Sequence, residues 1–174
     1  MRPAPLLLAL LLAGCATAPR PAGDVDPVVV YLVRHAERAE DGTNDPPISS
    51  DGQARAALLA EMLRDAGITH VHSTDLKRTR QTGAPLVEAA GLAVETYDPR
   101  DLAGFAARLR STPGRHLVLG HSNTTGELAA ALGGDGGSPI ADAEYDRLYM
   151  VVIPRSGPVS TVLLRFGARF AAEG

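Results

Sequence analysis

Two histidines and two arginines of this chain come shortly after apolar runs that predict β-strands. Arg34 and His35 end the run VVVYLVRH, and His121 ends RHLVLGH. Arg78 lies in STDLKRTRQT, which follows the short run THVHS. Guanidinium groups bind phosphate oxygens in pairs, and a neutral imidazole can attack phosphorus while its other ring nitrogen is held by a hydrogen bond. These residue types predict an anion site suited to phosphoryl transfer.

The order of the predicted elements explains why these side chains should meet. Strands expected near residues 28–33, 69–73, 92–97 and 115–121 alternate with helical patterns, and LYMVVI and TVLLRF predict two closing strands. Repeated β-α-β order predicts an α/β fold, a three-layer α/β/α sandwich with a mainly parallel central sheet. Ligands of such sheets bind beyond the carboxyl ends of the strands, where the predicted anion site lies.

Helical patterns fill most of the chain between the strands. In QARAALLAEMLRDAG, helical spacing places four apolar residues on one face: Leu59, Met62, Leu63 and Ala66. A second helix is expected from about Asp75 to Ala90, with Pro85 inside it and Gly91 at its end. Both helices are expected to pack on the sheet.

Composition limits the classes of protein that this chain can belong to. Its 174 residues, 45% of them hydrophobic, suit one compact domain with a real core. Acidic and basic residues are interspersed with a net charge of −3, so no basic block predicts a nucleic-acid partner. Of the 17 basic residues only Lys77 is a lysine, so the position of an arginine is more informative than its presence. The oligomeric state has no signal in the sequence.

The N-terminal segment predicts export and a lipid anchor. The apolar run from Leu6 to Ala13 is shorter than the roughly twenty residues that span a bilayer, but it suits a secretory signal. It ends in LAGC, which resembles the lipobox of bacterial lipoproteins, where the cysteine is acylated after cleavage. An ordinary cleaved signal with a chance cysteine is the alternative.

This resemblance divides the chain into three parts. We expect residues 1–14 to be a signal peptide, residues 15–27 to be the lipidated Cys15 and a tether rich in Ala and Pro, and residues 28–174 to be the folded domain. Ala16, rather than an aspartate, follows the cysteine. By resemblance to the sorting rules of enteric lipoproteins, this favours the outer membrane of the bacterial envelope, with the domain facing the periplasm. The membrane is therefore an expected partner through Cys15.

Four ordered motifs identify a family resemblance. LVRHAE, ISSDGQARA, STDLKRTRQT and GHSNT occur in this order along most of residues 28–134. Together they resemble the histidine phosphatase superfamily, which has the phosphoglycerate-mutase-like fold. One Arg-His dipeptide would be a weak signal, whereas four motifs in order and at the family's spacing are a strong one.

The resemblance implies a role for each residue of the predicted anion site. His35 would be the nucleophile that becomes phosphohistidine. Arg34 and Arg78 would hold the phosphoryl oxygens, and His121 would donate a hydrogen bond to them. The substrate would be a phosphorylated small molecule or a phosphohistidine, with no metal or other cofactor. A zinc site formed by the two histidines and an acid is less suitable, because the flanking arginines would repel a cation.

The acid that protonates the leaving oxygen is not evident from the motifs. The family's usual glutamate has no clear counterpart, and Asp98 in VETYDPRDL is the favoured candidate, with Glu37 as the alternative. Asn44, Ser122 and Asn123 could line the phosphate pocket, although Asn and Ser near helix starts are commonly caps.

Other residues allow two interpretations. Tyr145 or Asp146 could cover the pocket or merely pack. His70 and His72 alternate in a short predicted strand, which predicts that one is packed and one exposed, and His116 is expected to begin a strand without chemistry.

Three functions remain open from the sequence. A metal-independent phosphatase with a phosphohistidine intermediate is favoured. A phosphomutase is the alternative enzyme. A lipoprotein that binds phosphate with little turnover is the alternative of another class, because no acid is evident.

Overall fold

The computed structural model describes residues 26–171, so the predicted signal peptide, Cys15 and most of the predicted tether lie outside the described residues. In chain order the elements are β1 (Val28–Arg34), α1 (Ser50–Leu63), β2 (His70–Ser73), α2 (Lys77–Ala90), β3 (Val94–Thr96), α3 (Leu102–Ser111), β4 (Arg115–Gly120), α4 (Ser122–Ala131), β5 (Arg147–Ile153) and β6 (Ser160–Arg165). Between residues 26 and 171, no helix has both the length and the hydropathy needed to cross a bilayer.

The strands form one mixed sheet in the order β3-β2-β4-β1-β5-β6. The first four of these run parallel, and β5 and β6 add an antiparallel pair beside β1. The predicted α/β architecture is confirmed. Arg34 pairs in register with Gly120, and Ser73 pairs with Leu119, so β1, β4 and β2 end together at one edge of the sheet.

Strand β1 is buried between two helical layers. Val29, Tyr31 and Val33 pack in the core beneath α1 and α2, whereas Val30 and Leu32 pack in the core beneath α3 and α4. Burying one such side chain contributes roughly 1.5–3 kcal/mol, so both faces of β1 are firmly held. The residues that follow β1 therefore start from a rigid base.

Helix α1 begins after Ser49, whose hydroxyl accepts the N–H of Gly52. It packs through Leu59 and Leu63, which lie one helical turn apart and are buried. The prediction that Met62 packs on the same face is wrong, because Met62 lies beside the buried stripe and is 42% exposed.

Helix α2 contains Pro85 and ends at Gly91, as predicted. Gly91 has a φ of 63°, a left-handed conformation that glycine adopts without steric cost. The helix begins at Lys77, two residues later than predicted, after a three-residue connection from β2. This short connection places Arg78, in the first turn of α2, near the end of β1.

Candidate active site

His35 follows β1 and is buried, with 4% of its surface exposed. Its backbone N–H donates to the carbonyl of Gly120 (2.9 Å), which extends the pairing of β1 with β4. Nδ1 lies 2.8 Å from the carbonyl oxygen of Ala36. Because a carbonyl can only accept, Nδ1 donates and Nε2 keeps its lone pair. This is the tautomer that a nucleophilic histidine needs.

The surroundings of His35 keep its imidazole neutral. Its pKa is lowered to about 3, above all by burial; the hydrogen bond to Ala36 raises the pKa, and the charges of Arg34 and Arg78 lower it. Protonation of Nε2 would remove the lone pair, so the neutral ring is the reactive form. The imidazole of His35 is therefore neutral from about pH 4 upward.

Arg34 is buried, and the loop before β5 restrains it. Its Nη1 donates to the carbonyl oxygens of Ala141 (2.8 Å) and Glu144 (3.0 Å). The ring of Tyr145 lies against the guanidinium, with 4.1 Å between the ring centroid and Cζ. Arg34 is thus held at one nitrogen and across one face.

Arg78 is mostly buried, with 16% of its side chain exposed. Its Nη1 lies 3.7 Å from a carboxylate oxygen of Asp45. Thr82, one turn further along α2, donates its hydroxyl proton to the carbonyl of Arg78 (2.7 Å) and accepts the N–H of Ala36 (2.9 Å). Thr82 therefore connects the arginine helix to the residue that follows His35.

Both arginines leave the same guanidinium nitrogen, Nε, without a hydrogen-bond partner in the described part of the chain. Among residues 26–171, the only buried side-chain nitrogen or oxygen atoms without a hydrogen-bond partner are Nε of Arg34 and Nε of Arg78. In each case Nη1 is the nitrogen that contacts the protein. The other edge, formed by Nε and Nη2, is the one that binds two oxygens of a phosphate or carboxylate side by side. A buried donor without a partner is costly, so this arrangement favours an anionic ligand.

His121 stands beside His35, with 5.5 Å between the ring centroids. Its Nε2 lies 3.0 Å from the hydroxyl of Thr74, which follows β2 and fixes the ring. Burial, followed by the charges of Arg78 and Arg34, lowers the pKa of His121 to about 4. The structure thus brings the four residues of the predicted anion site together, and their roles stay predictions. Thr74 and Thr82 were not anticipated; their only sequence signal is their position in STDLKRTRQT.

The two candidate acids have other partners. Glu37 accepts from Nε and Nη2 of Arg55 (2.9 and 2.6 Å). Burial disfavours its charge, but these hydrogen bonds prevail and lower the pKa of Glu37. Asp98 is exposed, and the hydrogen bond from Arg100 lowers its pKa. A general acid must hold a proton near neutral pH, so neither environment favours that role.

The three residues that could line the phosphate pocket by sequence, Asn44, Ser122 and Asn123, line two separate clefts. Asn44 is exposed and lines a cleft of about 630 Å³ together with Arg38 and Arg78. Ser122 and Asn123 form the start of α4 and line a cleft of about 590 Å³ between this helix and residues 135–140. The cap of α4 is His121 rather than either of these residues. Only the cleft of Asn44 includes a residue of the predicted anion site, Arg78.

The positions of Tyr145 and Asp146 decide which of them lies beside the pocket and which packs in the protein. Its ring lies 6.0 Å from the ring of His35, measured between centroids, and contacts Arg34. Asp146 is buried and accepts from Arg165 (2.6 Å) and from the backbone of Phe170 (3.2 Å), so it packs. Tyr145 is therefore part of the site and Asp146 is not.

The remaining three histidines form a cluster on β2 and β4. His72 Nε2 lies 3.0 Å from His116 Nδ1, and the ring of His70 stacks on that of His116 at 4.6 Å. His72 is buried and His70 is partly buried, close to the predicted alternation. His116 is fully buried and bonded, which the sequence did not indicate. Over the described range, no three His, Cys, Asp or Glu side chains form a group that could hold a metal ion.

Comparison with known proteins agrees with this geometry. Residues 30–100 match the histidine phosphatase superfamily, branch 1. Superfamily members are phosphatases and mutases that act through a histidine. Curated relatives include the "Probable phosphoglycerate mutase GpmB" of Yersinia enterocolitica, 43% identical over 77 residues, and that of Yersinia pestis, 44% identical over 77 residues. Each match covers 41% of this chain and 35% of the relative.

Solved structures of histidine phosphatases share the fold. The protein histidine phosphatase SixA, complexed with tungstate, has a TM-score of 0.64 at 20% identity, covering 79% of this chain and 96% of its own. A mycobacterial glucosyl-3-phosphoglycerate phosphatase has a TM-score of 0.62 at 15% identity, covering 82% and 99%. The fold is therefore that of the histidine phosphatase superfamily, and the family model and the curated relatives support the superfamily for this chain.

Proposed function

We propose that this protein is a phosphatase that hydrolyses phosphomonoesters or phosphohistidine through a covalent phosphohistidine on His35, without a metal ion. The observation that supports this most strongly is the pair of buried Nε atoms of Arg34 and Arg78 that have no hydrogen-bond partner among residues 26–171, close to an imidazole whose Nδ1 donates and whose Nε2 keeps its lone pair. A tetrahedral oxyanion satisfies both edges at once and brings phosphorus to that lone pair. The fold likeness to SixA with tungstate, another tetrahedral oxyanion, agrees with this assignment.

The reaction has two transfers. In the first, the lone pair of His35 Nε2 forms a bond to phosphorus while the bond from phosphorus to the leaving atom breaks. In the second, water attacks phosphorus, the P–N bond breaks, one water proton is lost to solvent, and phosphate and neutral His35 are released. Charge spreads over the equatorial oxygens in both transition states, where Arg34, Arg78 and His121 stabilise it. Nδ1 keeps its bond to Ala36 throughout.

The leaving group receives little help from the candidate acids. Glu37 is held ionised by Arg55, and Asp98 is exposed and paired with Arg100. Substrates whose leaving group departs without a proton from a carboxylic acid are therefore favoured. A phosphoramidate such as phosphohistidine fits, because its imidazole can take a proton from water before the P–N bond breaks.

A phosphomutase is the second candidate, because the curated relatives named above are mutases by name and share 43–44% identity over the matched segment. A mutase returns the phosphoryl group to a second hydroxyl of a bound metabolite, whereas a phosphatase gives it to water. A phosphate-binding lipoprotein without turnover is the third candidate function.

The full chain should be assayed in EDTA against phosphomonoesters and a phosphoramidate, beside His35→Ala. The phosphatase predicts release of inorganic phosphate that survives EDTA and disappears in the variant. Isomerised phosphate ester without released phosphate would favour the mutase. Vanadate binding without any turnover would favour the binding protein.

We also propose that acylated Cys15 anchors the domain in the bacterial envelope, at the outer membrane and facing the periplasm. The support is the LAGC sequence after a short apolar run, followed by Ala16. Several acyl chains on one residue hold a protein stably at a membrane. Labelling with radioactive palmitate should mark the full chain and not Cys15→Ser, and the label should fractionate with the outer membrane. Labelling of both chains, or of neither, would overturn the anchor.

A further inference from the structure

The loop between α4 and β5 controls the orientation of Arg34. Two of its carbonyls, those of Ala141 and Glu144, accept from Nη1 of Arg34. The ring of Tyr145 covers one face of the same guanidinium at 4.1 Å. The two hydrogen bonds and the contact with the ring together leave the guanidinium little freedom to turn. The loop therefore decides where the free Nε and Nη2 edge points.

A buried ion pair fixes this loop. Glu144 is 3% exposed, and its carboxylate accepts from Nε and Nη2 of Arg147 at 2.6 and 2.9 Å. The same carboxylate accepts from Arg165 (2.6 Å) and from the backbone N–H of Ala141 (3.2 Å). The N–H of Glu144 in turn donates to the carbonyl of Ala141 (2.9 Å). The carbonyls that accept from Arg34 thus belong to Ala141 and Glu144, and the Glu144 carboxylate joins these two residues by a hydrogen bond.

Arg147 also binds a second part of the loop, at Ser138 and Pro139. Its Nη1 donates to the carbonyl of Ser138 (2.7 Å) and to the hydroxyl of Tyr149 (3.0 Å). Its Nη2 also reaches the hydroxyl of Ser138 (3.1 Å) and the carbonyl of Pro139 (3.3 Å). Arg147 therefore joins Ser138 and Pro139, midway along the loop, to Glu144 near its end. Tyr145 is the next residue, so its ring is placed by this network.

We propose that Tyr145 is a positioning residue of the active site, whose ring holds the Arg34 guanidinium so that its Nε and Nη2 edge meets the phosphoryl group. This inference rests on the proposed function. An aromatic face stabilises a guanidinium that has been taken out of water, and Arg34 is such a cation because burial removes its hydration. The ring needs its π face for this role and not its hydroxyl.

The test compares Tyr145→Phe with Tyr145→Leu in the full chain. Leucine keeps apolar bulk but has no π face, whereas phenylalanine keeps the face and lacks the hydroxyl. We expect Tyr145→Leu to weaken orthovanadate binding by about five- to thirty-fold and to raise KM for p-nitrophenyl phosphate by a similar factor. Tyr145→Phe should stay within about twofold of the unaltered chain. Because Tyr145 is only partly buried, both variants should fold, which thermal melting checks.

The outcomes separate this inference from the proposed function. If the unaltered chain binds vanadate and becomes phosphorylated, and Tyr145→Leu binds vanadate equally well, then the positioning role is refuted and the phosphatase stands. If Tyr145→Phe loses as much affinity as Tyr145→Leu, the hydroxyl acts and the π face does not, which also refutes the inference. If the unaltered chain neither binds vanadate nor becomes phosphorylated, the proposed function is refuted, and this inference, which rests on it, is refuted with it.

Discussion

Replacing Arg78 by methionine should remove ligand affinity while leaving the fold intact. Within residues 26–171 its guanidinium makes one ion pair, 3.7 Å from the partly exposed Asp45, and pairs of this kind contribute about 0–1 kcal/mol. Its buried Nε has no partner in the described part of the chain, so removing it relieves a cost instead of breaking a bond. The free energy of unfolding without ligand should therefore change by less than about 1 kcal/mol.

The effect on ligand binding should be much larger. Hydrogen bonds to charged groups contribute roughly 1.5–3 kcal/mol each, and the Nε and Nη2 edge can make two. Losing about 3–5 kcal/mol corresponds to a hundredfold or greater weakening of vanadate binding. Arg80→Met is the matched control, because Arg80 lies on the same helix but is exposed and binds Asp75 and Thr96.

The assay combines isothermal titration with orthovanadate and thermal melting with and without phosphate. A ligand that binds only the folded state raises the melting temperature, so the unaltered chain and Arg80→Met should both be stabilised by phosphate. Arg78→Met should melt at nearly the same temperature with or without it. If Arg78→Met retains the vanadate affinity of Arg80→Met, the guanidinium of Arg78 does not bind the anion.

The remaining predictions concern pH and the candidate acids. Burial lowers the pKa of His72 to about 4, so the unfolded chain binds more protons than the folded chain between pH 6.5 and 4. The free energy of unfolding should therefore fall over this range, by roughly 3 kcal/mol from His72 alone, with further losses from His35 and His121. Urea unfolding that is equally or more resistant at pH 4 would contradict this. No acidic loss of kcat/KM above pH 5 should arise from His35, whose pKa is about 3, and a pH profile tests this. Arg55→Met should lower the free energy of unfolding by about 3–5 kcal/mol, because it leaves the half-buried carboxylate of Glu37 unpaired. Urea unfolding measures this, and a loss under about 1 kcal/mol would show that the ion pair contributes little. Asp98→Asn should change kcat less than about threefold, and a hundredfold loss would identify it as the acid.

The fold and the position of the site could be predicted because both depend on local patterns. The run before Arg34 is apolar at every position, as a strand buried on both faces must be, and Gly91 marks the end of a helix. Once the strands are parallel, the residues after them meet at one edge without any further information. His35 and His121 are neighbours for this reason.

Side-chain partners could not be predicted in the same way. Glu37 lies two residues from His35 in sequence, yet its carboxylate binds Arg55, because α1 begins close to the backbone of Glu37. A Cβ at Gly52 would collide with the carbonyl of Glu37, so the glycine permits this approach. The contact of Tyr145 with Arg34 joins residues more than a hundred positions apart through a loop without a sequence pattern. Such pairings depend on tertiary packing.

The proposed reaction requires that His35 becomes covalently phosphorylated. The full chain should be mixed with a phosphoramidate or a phosphomonoester, quenched in base, where phosphohistidine survives, and mapped by mass spectrometry. We expect a phosphoryl group on His35 that is lost in acid and absent from His35→Ala. Turnover with no phosphoryl group on His35, or the same labelling in His35→Ala, would contradict it.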